Sequence, residues 1–146
     1  MIILTKKFKF SAAHRYHNPE WSEEVNLAAF GDDHRVHGHN YELEVSLSGE
    51  VDEETGFLAD LGLIKALVQE HVIDILDHSQ IEVDIAWFAQ RRPTSENIIR
   101  YIWAQLEPLM APDVVLTRLK LFETPSIYAE FDGRLDVPES VPGGSA

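Results

Sequence analysis

His37 and His39 stand one residue apart at the head of a segment in which Tyr41, Leu43, Val45 and Leu47 alternate with Glu42, Glu44, Ser46 and Ser48. Side chains on a strand repeat with period two, so both imidazoles project from the face that the apolar residues bury. His14 closes a similar run, with Phe8, Phe10 and Ala12 on its side and Lys7, Lys9 and Ser11 on the other. Three imidazoles on core-facing strand positions match a metal site that leaves the fourth position of a tetrahedral zinc open to water or substrate. The same pattern also fits three histidines that only hydrogen-bond to nearby backbone. Glu123 falls by parity beside Leu119 and Leu121 at the end of another apolar face. A carboxylate there is costly unless a cation or hydrogen-bond donors meet it.

Composition narrows the chemistry. The 146 residues include no cysteine, which excludes disulfides, thiolate ligands and a cysteine nucleophile together. Lys plus Arg number 12 against 25 Asp plus Glu, a formal net charge of -13. That balance argues against a nucleic-acid or anionic-membrane surface, so an anionic small substrate requires a local basic pocket. Arg15, His17, Arg35, Arg91 and Arg92 are the candidates. No long apolar run, leader or lipidation signal is apparent, and a soluble cytoplasmic protein is expected.

The elements that must position these groups follow from periodicity. Residues 2–13, 37–48, 115–122 and 126–131 read as strands, the third with Val115, Leu119 and Leu121 on one face. Asp60 caps a helix carrying Leu61, Ile64, Leu67, Val68, Val72, Ile75 and Leu76, and Thr94 caps a second, with Ile98, Ile99, Ile102, Trp103 and Leu106 on its apolar face. Residues 15–36 read as a long polar loop, and 81–92 as irregular. The order ββααββ predicts an α+β fold, an antiparallel four-stranded sheet with two helices on one face and two open edges. Residues 1–133 are expected to form a single domain and 134–146 a disordered tail.

Five motifs occur in one order: Phe10-Ser11-Ala12-Ala13-His14-Arg15, His37-Gly38-His39-Asn40-Tyr41, Leu76-Asp77-His78, Pro93-Thr94-Ser95-Glu96-Asn97 and Phe122-Glu123-Thr124. With Gly56-Phe57-Leu58-Ala59-Asp60, they resemble the 6-pyruvoyl-tetrahydropterin and 6-carboxytetrahydropterin synthase family over residues 7–131. The resemblance implies a tunnelling fold whose sheets join into a barrel, a homo-hexamer built as a dimer of trimers, and active sites between subunits. It implies Zn2+ on His14, His37 and His39, and a pterin ring held by Glu123 with Thr94, Ser95 and Glu96. The implied substrate is 7,8-dihydroneopterin triphosphate, with Asp77 and His78 as an acid–base pair, and Arg15 is a candidate to bind its triphosphate.

The departure from the family pattern is at its catalytic cysteine, whose place falls on Asp33 whether counted back from His37 or forward from Gly31. Reference pKa values are about 8.5 for Cys and about 3.9 for Asp, so a carboxylate there is the weaker base unless burial raises it. His34 is a second candidate base. The expected activity is that of a zinc-dependent lyase of the pyruvoyl synthase type. The alternatives are a carboxytetrahydropterin synthase of queuosine biosynthesis, a variant that releases 6-hydroxymethyl-dihydropterin for folate, and a pterin- or metal-binding relative without turnover.

Overall fold

The structure, a computed structural model, describes residues 1–135; the tail expected from 134 lies, from 136 on, outside the described residues. Strands β1 (Ile3–His14), β2 (His37–Gly49), β3 (Val114–Thr124) and β4 (Ile127–Phe131) form one antiparallel sheet in chain order. The expected α+β layer is present, with β1 and β4 at its edges. Phe10, Tyr41, Leu43, Val45, Leu47, Leu119 and Leu121 are buried on one face. Burial of a large apolar side chain contributes about 1.5–3 kcal/mol, so this face dominates the stability of the sheet.

Two helical stretches cover that face. The first runs as α2 (Leu61–Val68), a π turn (Gln69–Ile73) and α3 (Asp74–Leu76), and Asp60 caps it by accepting from the Leu63 N–H. Its buried row is Ile64, Val68, Val72 and Leu76, at steps of four. Four α-helical residues overshoot one turn by about 40°, and the wider π turn slows that rotation and keeps the row against the sheet. Ile73 is therefore buried, and the expected core position Ile75 is exposed. The second stretch is α5 (Ser95–Leu106), which buries Ile98, Ile99, Tyr101, Ile102 and Leu106.

Four further expectations are corrected. Residues 15–36 are not a loop throughout: they contain helix α1 (Glu23–Phe30) and a 3-10 turn (Gly31–His34), joined where Gly31 takes φ 57°. A side chain at that φ is strained, which explains the glycine. Residues 81–92 contain the short helix α4 (Ile81–Asp84) and a 3-10 turn (Ala86–Phe88). On β3 a bulge opposite Ser46 and Leu47 inserts Thr117, so Leu116 rather than Val115 faces the core. Ser46 and Ser48, expected to face away from the core, are nevertheless buried, bonded to Thr5 and Thr117 at 2.7 Å each.

Candidate metal centre and active site

β1 ends on His14 and β2 begins on His37, and the antiparallel register pairs His14 with His37 and Ala12 with His39. The three rings therefore gather at one end of the sheet, with centroids 4.6 Å (His14–His37), 5.1 Å (His14–His39) and 5.1 Å (His37–His39) apart. At Gly38, between the two β2 histidines, the strands run close: a Cβ there would stand 3.3 Å from the Ala12 carbonyl oxygen. His14 Nδ1–H donates to the Pro93 carbonyl at 2.8 Å, and His37 Nδ1–H to the Arg35 carbonyl at 2.8 Å. Such bonds fix the tautomer and turn the Nε2 lone pair inward. The Nε2 atoms of His14 and His39 are buried and have no hydrogen-bond partner among the described residues, and one ring nitrogen from each of the three histidines lies within 4.8 Å of the others. Orphaned buried nitrogens are costly alone and are the donors an open zinc site requires, so the residues fit the ion. Burial, opposed in part by the bond to Pro93, holds His14 below the ordinary imidazole range and keeps its lone pair free at neutral pH.

The carbonyl that orients His14 is itself fixed by a helix cap. Thr94 Oγ1 accepts from the Asn97 N–H at 3.3 Å, and Asn97 Nδ2 donates to the Arg92 carbonyl at 2.9 Å. These bonds hold the peptide that carries Pro93. Ser95 is buried with a hydroxyl that has no partner among the described residues, and Glu96 is exposed.

Glu123 lies closer to the imidazoles than parity alone indicates. Its Oε1 is 3.2 Å from His39 Nε2 and 3.4 Å from His14 Nε2, and its side chain is 13% exposed. Tyr16 was not singled out in the sequence, yet its hydroxyl donates to Glu123 at 3.3 Å and its ring stands edge-on to His14 at 5.0 Å. Burial, then the Glu123 charge, raises the Tyr16 phenol far above its usual value, so it remains a donor. Its position two residues beyond His14 was the available signal.

Asp33 comes to the same cluster by way of the 3-10 turn. Its carbonyl accepts from the Tyr16 N–H at 2.9 Å, and its Oδ1 is 3.9 Å from His37 Nε2. With 60% of its side chain exposed, Asp33 can swing. His34, the other candidate base, points elsewhere: its ring nitrogens meet the Tyr16 carbonyl at 3.2 Å and Glu23 at 2.9 Å.

Asp77 and His78 are adjacent, and on a regular element their side chains would diverge. His78 instead takes φ 61°, a conformation uncommon outside glycine and frequent at functional sites. Its Nδ1–H donates to Asp77 Oδ2 at 2.7 Å, while Asp77 Oδ1 accepts from the Ser11 N–H at 2.8 Å. A cavity of about 360 Å³ beside this pair is lined by Ser11, Ala13, Gly38, Asn40, His78 and Ser79, and His39 is the one member of the trio that reaches it. The Ser11 N–H, then His78, holds the Asp77 carboxyl below its ordinary range. A carboxyl depressed in the folded state stabilises above its unfolded pKa, about 3.9, and that contribution is lost as pH falls through the folded value. The difference in Tm between Asp77→Asn and the parent is therefore expected to shrink below about pH 4. A constant gap in melts from pH 7 to pH 3 would refute the assignment.

The sequence profile described as 6-pyruvoyl tetrahydropterin synthase matches residues 3–134. The chain belongs to this family. It is 35% identical over 132 residues to the Pongo abelii 6-pyruvoyl tetrahydrobiopterin synthase, spanning 89% of this chain and 90% of that one. It is also 30% identical over 147 residues to the Rickettsia conorii 6-carboxy-5,6,7,8-tetrahydropterin synthase, spanning 89% and 99%. The solved Caenorhabditis elegans 6-pyruvoyl tetrahydropterin synthase superposes with a TM-score of 0.85 at 34% identity, covering 91% of this chain and 96% of that one. Membership makes the chain a lyase of the tetrahydropterin synthase type.

Within this family member the basic residues divide. Arg15, His17, Arg91 and Arg92 line one cavity of about 200 Å³, while Arg35 is exposed outside it. Arg91 is fixed there by stacking on Trp87 at 4.1 Å and donating to its carbonyl at 2.9 Å. Despite the acidic whole, three arginines and a histidine gather here around a single lining carboxylate, Glu82. Among the described residues no helix is long and apolar enough to cross a membrane.

Proposed function

We propose that the chain is a zinc-dependent lyase acting on 7,8-dihydroneopterin triphosphate, with His14, His37 and His39 as ligands through Nε2. The observation that carries this reading is the gathering of one nitrogen from each imidazole within 4.8 Å of the others, with the His14 and His39 Nε2 atoms unpartnered among the described residues and Asp33 and Glu123 beside them. Zinc bound there would polarise the oxygens of the substrate side chain and lower the pKa of its neighbours. Glu123 accepts two parallel hydrogen bonds from the N–H groups of the aminopyrimidinone edge, aided by the free Ser95 hydroxyl and the Thr94-Ser95-Glu96 turn. Arg15, Arg91 and Arg92 receive the triphosphate. Asp33 takes a proton from the side chain, and His78, oriented by Asp77 through Nδ1, exchanges protons at Nε2.

His78 is 85% exposed, which suits a site completed by a second subunit. The tunnelling-fold barrel, the hexamer of two trimers and a cytoplasmic location belong to this proposal, supported by the family and by the edge position of β4, whereas β1 is bonded at residues 11–13 to the segment 77–79. Incubating the zinc form with the triphosphate and resolving products by mass tests it. Pyruvoyl-tetrahydropterin is the expected product. Carboxytetrahydropterin or hydroxymethyl-dihydropterin would move the chain to another branch of the same chemistry, and tight binding without conversion would overturn catalysis.

A further inference from the structure

A second group of ligating side chains lies outside the trio. His17 follows β1, Glu23 is the first residue of α1, and His34 is the last of the 3-10 turn, and one ligand atom of each lies within 4.8 Å of the others.

His34 is 7% exposed, and both its nitrogens face acceptors: Nδ1 is 3.2 Å from the Tyr16 carbonyl oxygen and Nε2 is 2.9 Å from Glu23 Oε2. A neutral imidazole has a single N–H. With Nδ1–H given to the carbonyl, as in metal-bound histidines, Nε2 turns a lone pair toward a carboxylate oxygen. At 2.9 Å that contact is bridged either by a proton on the ring or by a metal ion that takes both atoms as ligands. His17 supplies the third donor: its ring centroid is 5.2 Å from that of His34, and its Nδ1 is buried with no hydrogen-bond partner among the described residues. Two imidazoles and one carboxylate are a donor set of zinc and of other borderline divalent metals.

We propose that His17, Glu23 and His34 form a second divalent transition-metal site, distinct from the trio. Its place in the fold gives it a structural consequence. Tyr16 and Asp33 are joined by backbone at 2.9 Å, and His17 and His34 are their chain neighbours. A metal here ties the start of α1 to both segments and fixes the turn that carries Asp33. Glu23 is 70% exposed and free to adjust to the ion.

The test counts metal. The full chain is stripped with chelator, reloaded with Zn2+, dialysed, and its zinc measured by atomic emission. Wild type is expected to retain one zinc per chain more than Glu23→Gln. The same difference of one is expected in a His37→Ala, His39→Ala background, which separates this site from the trio whatever the trio binds. Glu23→Gln leaves the Ser22 cap and the apolar core in place, and a matching melt of the metal-free proteins checks its fold. Equal zinc content in wild type and Glu23→Gln, in either background, overturns the proposal. So does Co2+ substitution that gives the same visible spectrum for both.

Discussion

Asp33→Ala lowers kcat by about 10²–10⁴-fold, the range spanned by removal of a general base, while zinc content and Tm stay at the parent values. The expectation of an intact fold rests on what Asp33 touches. Its backbone carbonyl, which the substitution keeps, makes the bond to Tyr16, and among the described residues its side chain pairs with His37, at 3.9 Å, and acts on Tyr16 through its charge. A kcat equal to the parent's would remove Asp33 from the mechanism. Asp33→Cys tests position against chemistry. A thiol at the same place, with a reference pKa of about 8.5, is expected to exceed alanine in turnover and to move the rise of kcat with pH toward the thiol range. A cysteine variant no better than alanine, in a pH profile from 5 to 10, would mean that this position is not where the family's base acts.

The strands and what they carry were legible because period-two parity is a local rule. Phe8, Phe10 and Ala12 lead to His14, and Tyr41 and Leu43 lead back to His37 and His39, so alternation alone brought three imidazoles to one face. The same rule failed at Val115, where the extra residue Thr117 reverses the parity of everything before it. Helix α1 was invisible for a different reason. The one residue it buries is Asn26, whose side chain donates to the Asn18, Trp21 and Ser22 carbonyls and accepts from the Asn18 N–H. A helix docked by an amide leaves no apolar period to read. Because α1 was missed, so was the turn after it, and the proximity of His17, Glu23 and His34 went unnoticed. The Asp77–His78 contact depends on a backbone angle at His78 that residue identity does not announce.

Glu123→Gln weakens pterin binding by about 10- to 150-fold and leaves zinc bound. The expectation comes from counting donors. A carboxylate accepts both N–H groups of an aminopyrimidinone edge, whereas an amide accepts one and opposes the other with its own NH2. Loss of one hydrogen bond to a charged group costs about 1.5–3 kcal/mol, which sets the range. Calorimetry with 7,8-dihydroneopterin, which lacks the triphosphate, isolates this contact from the arginine cavity. Glu123 also stands 3.2 Å and 3.4 Å from the Nε2 atoms of His39 and His14, close enough to invite a second role as a metal ligand. The two roles separate in one variant. If Glu123 anchors the pterin, Glu123→Gln retains its zinc and loses the ring; if it closes the metal site, zinc leaves first and pterin affinity changes little. The three inward-facing imidazoles already make the donor set of an open site, and a fourth protein ligand would close the position that substrate needs. That favours the anchor, and zinc loss in Glu123→Gln is the result that would reverse the assignment.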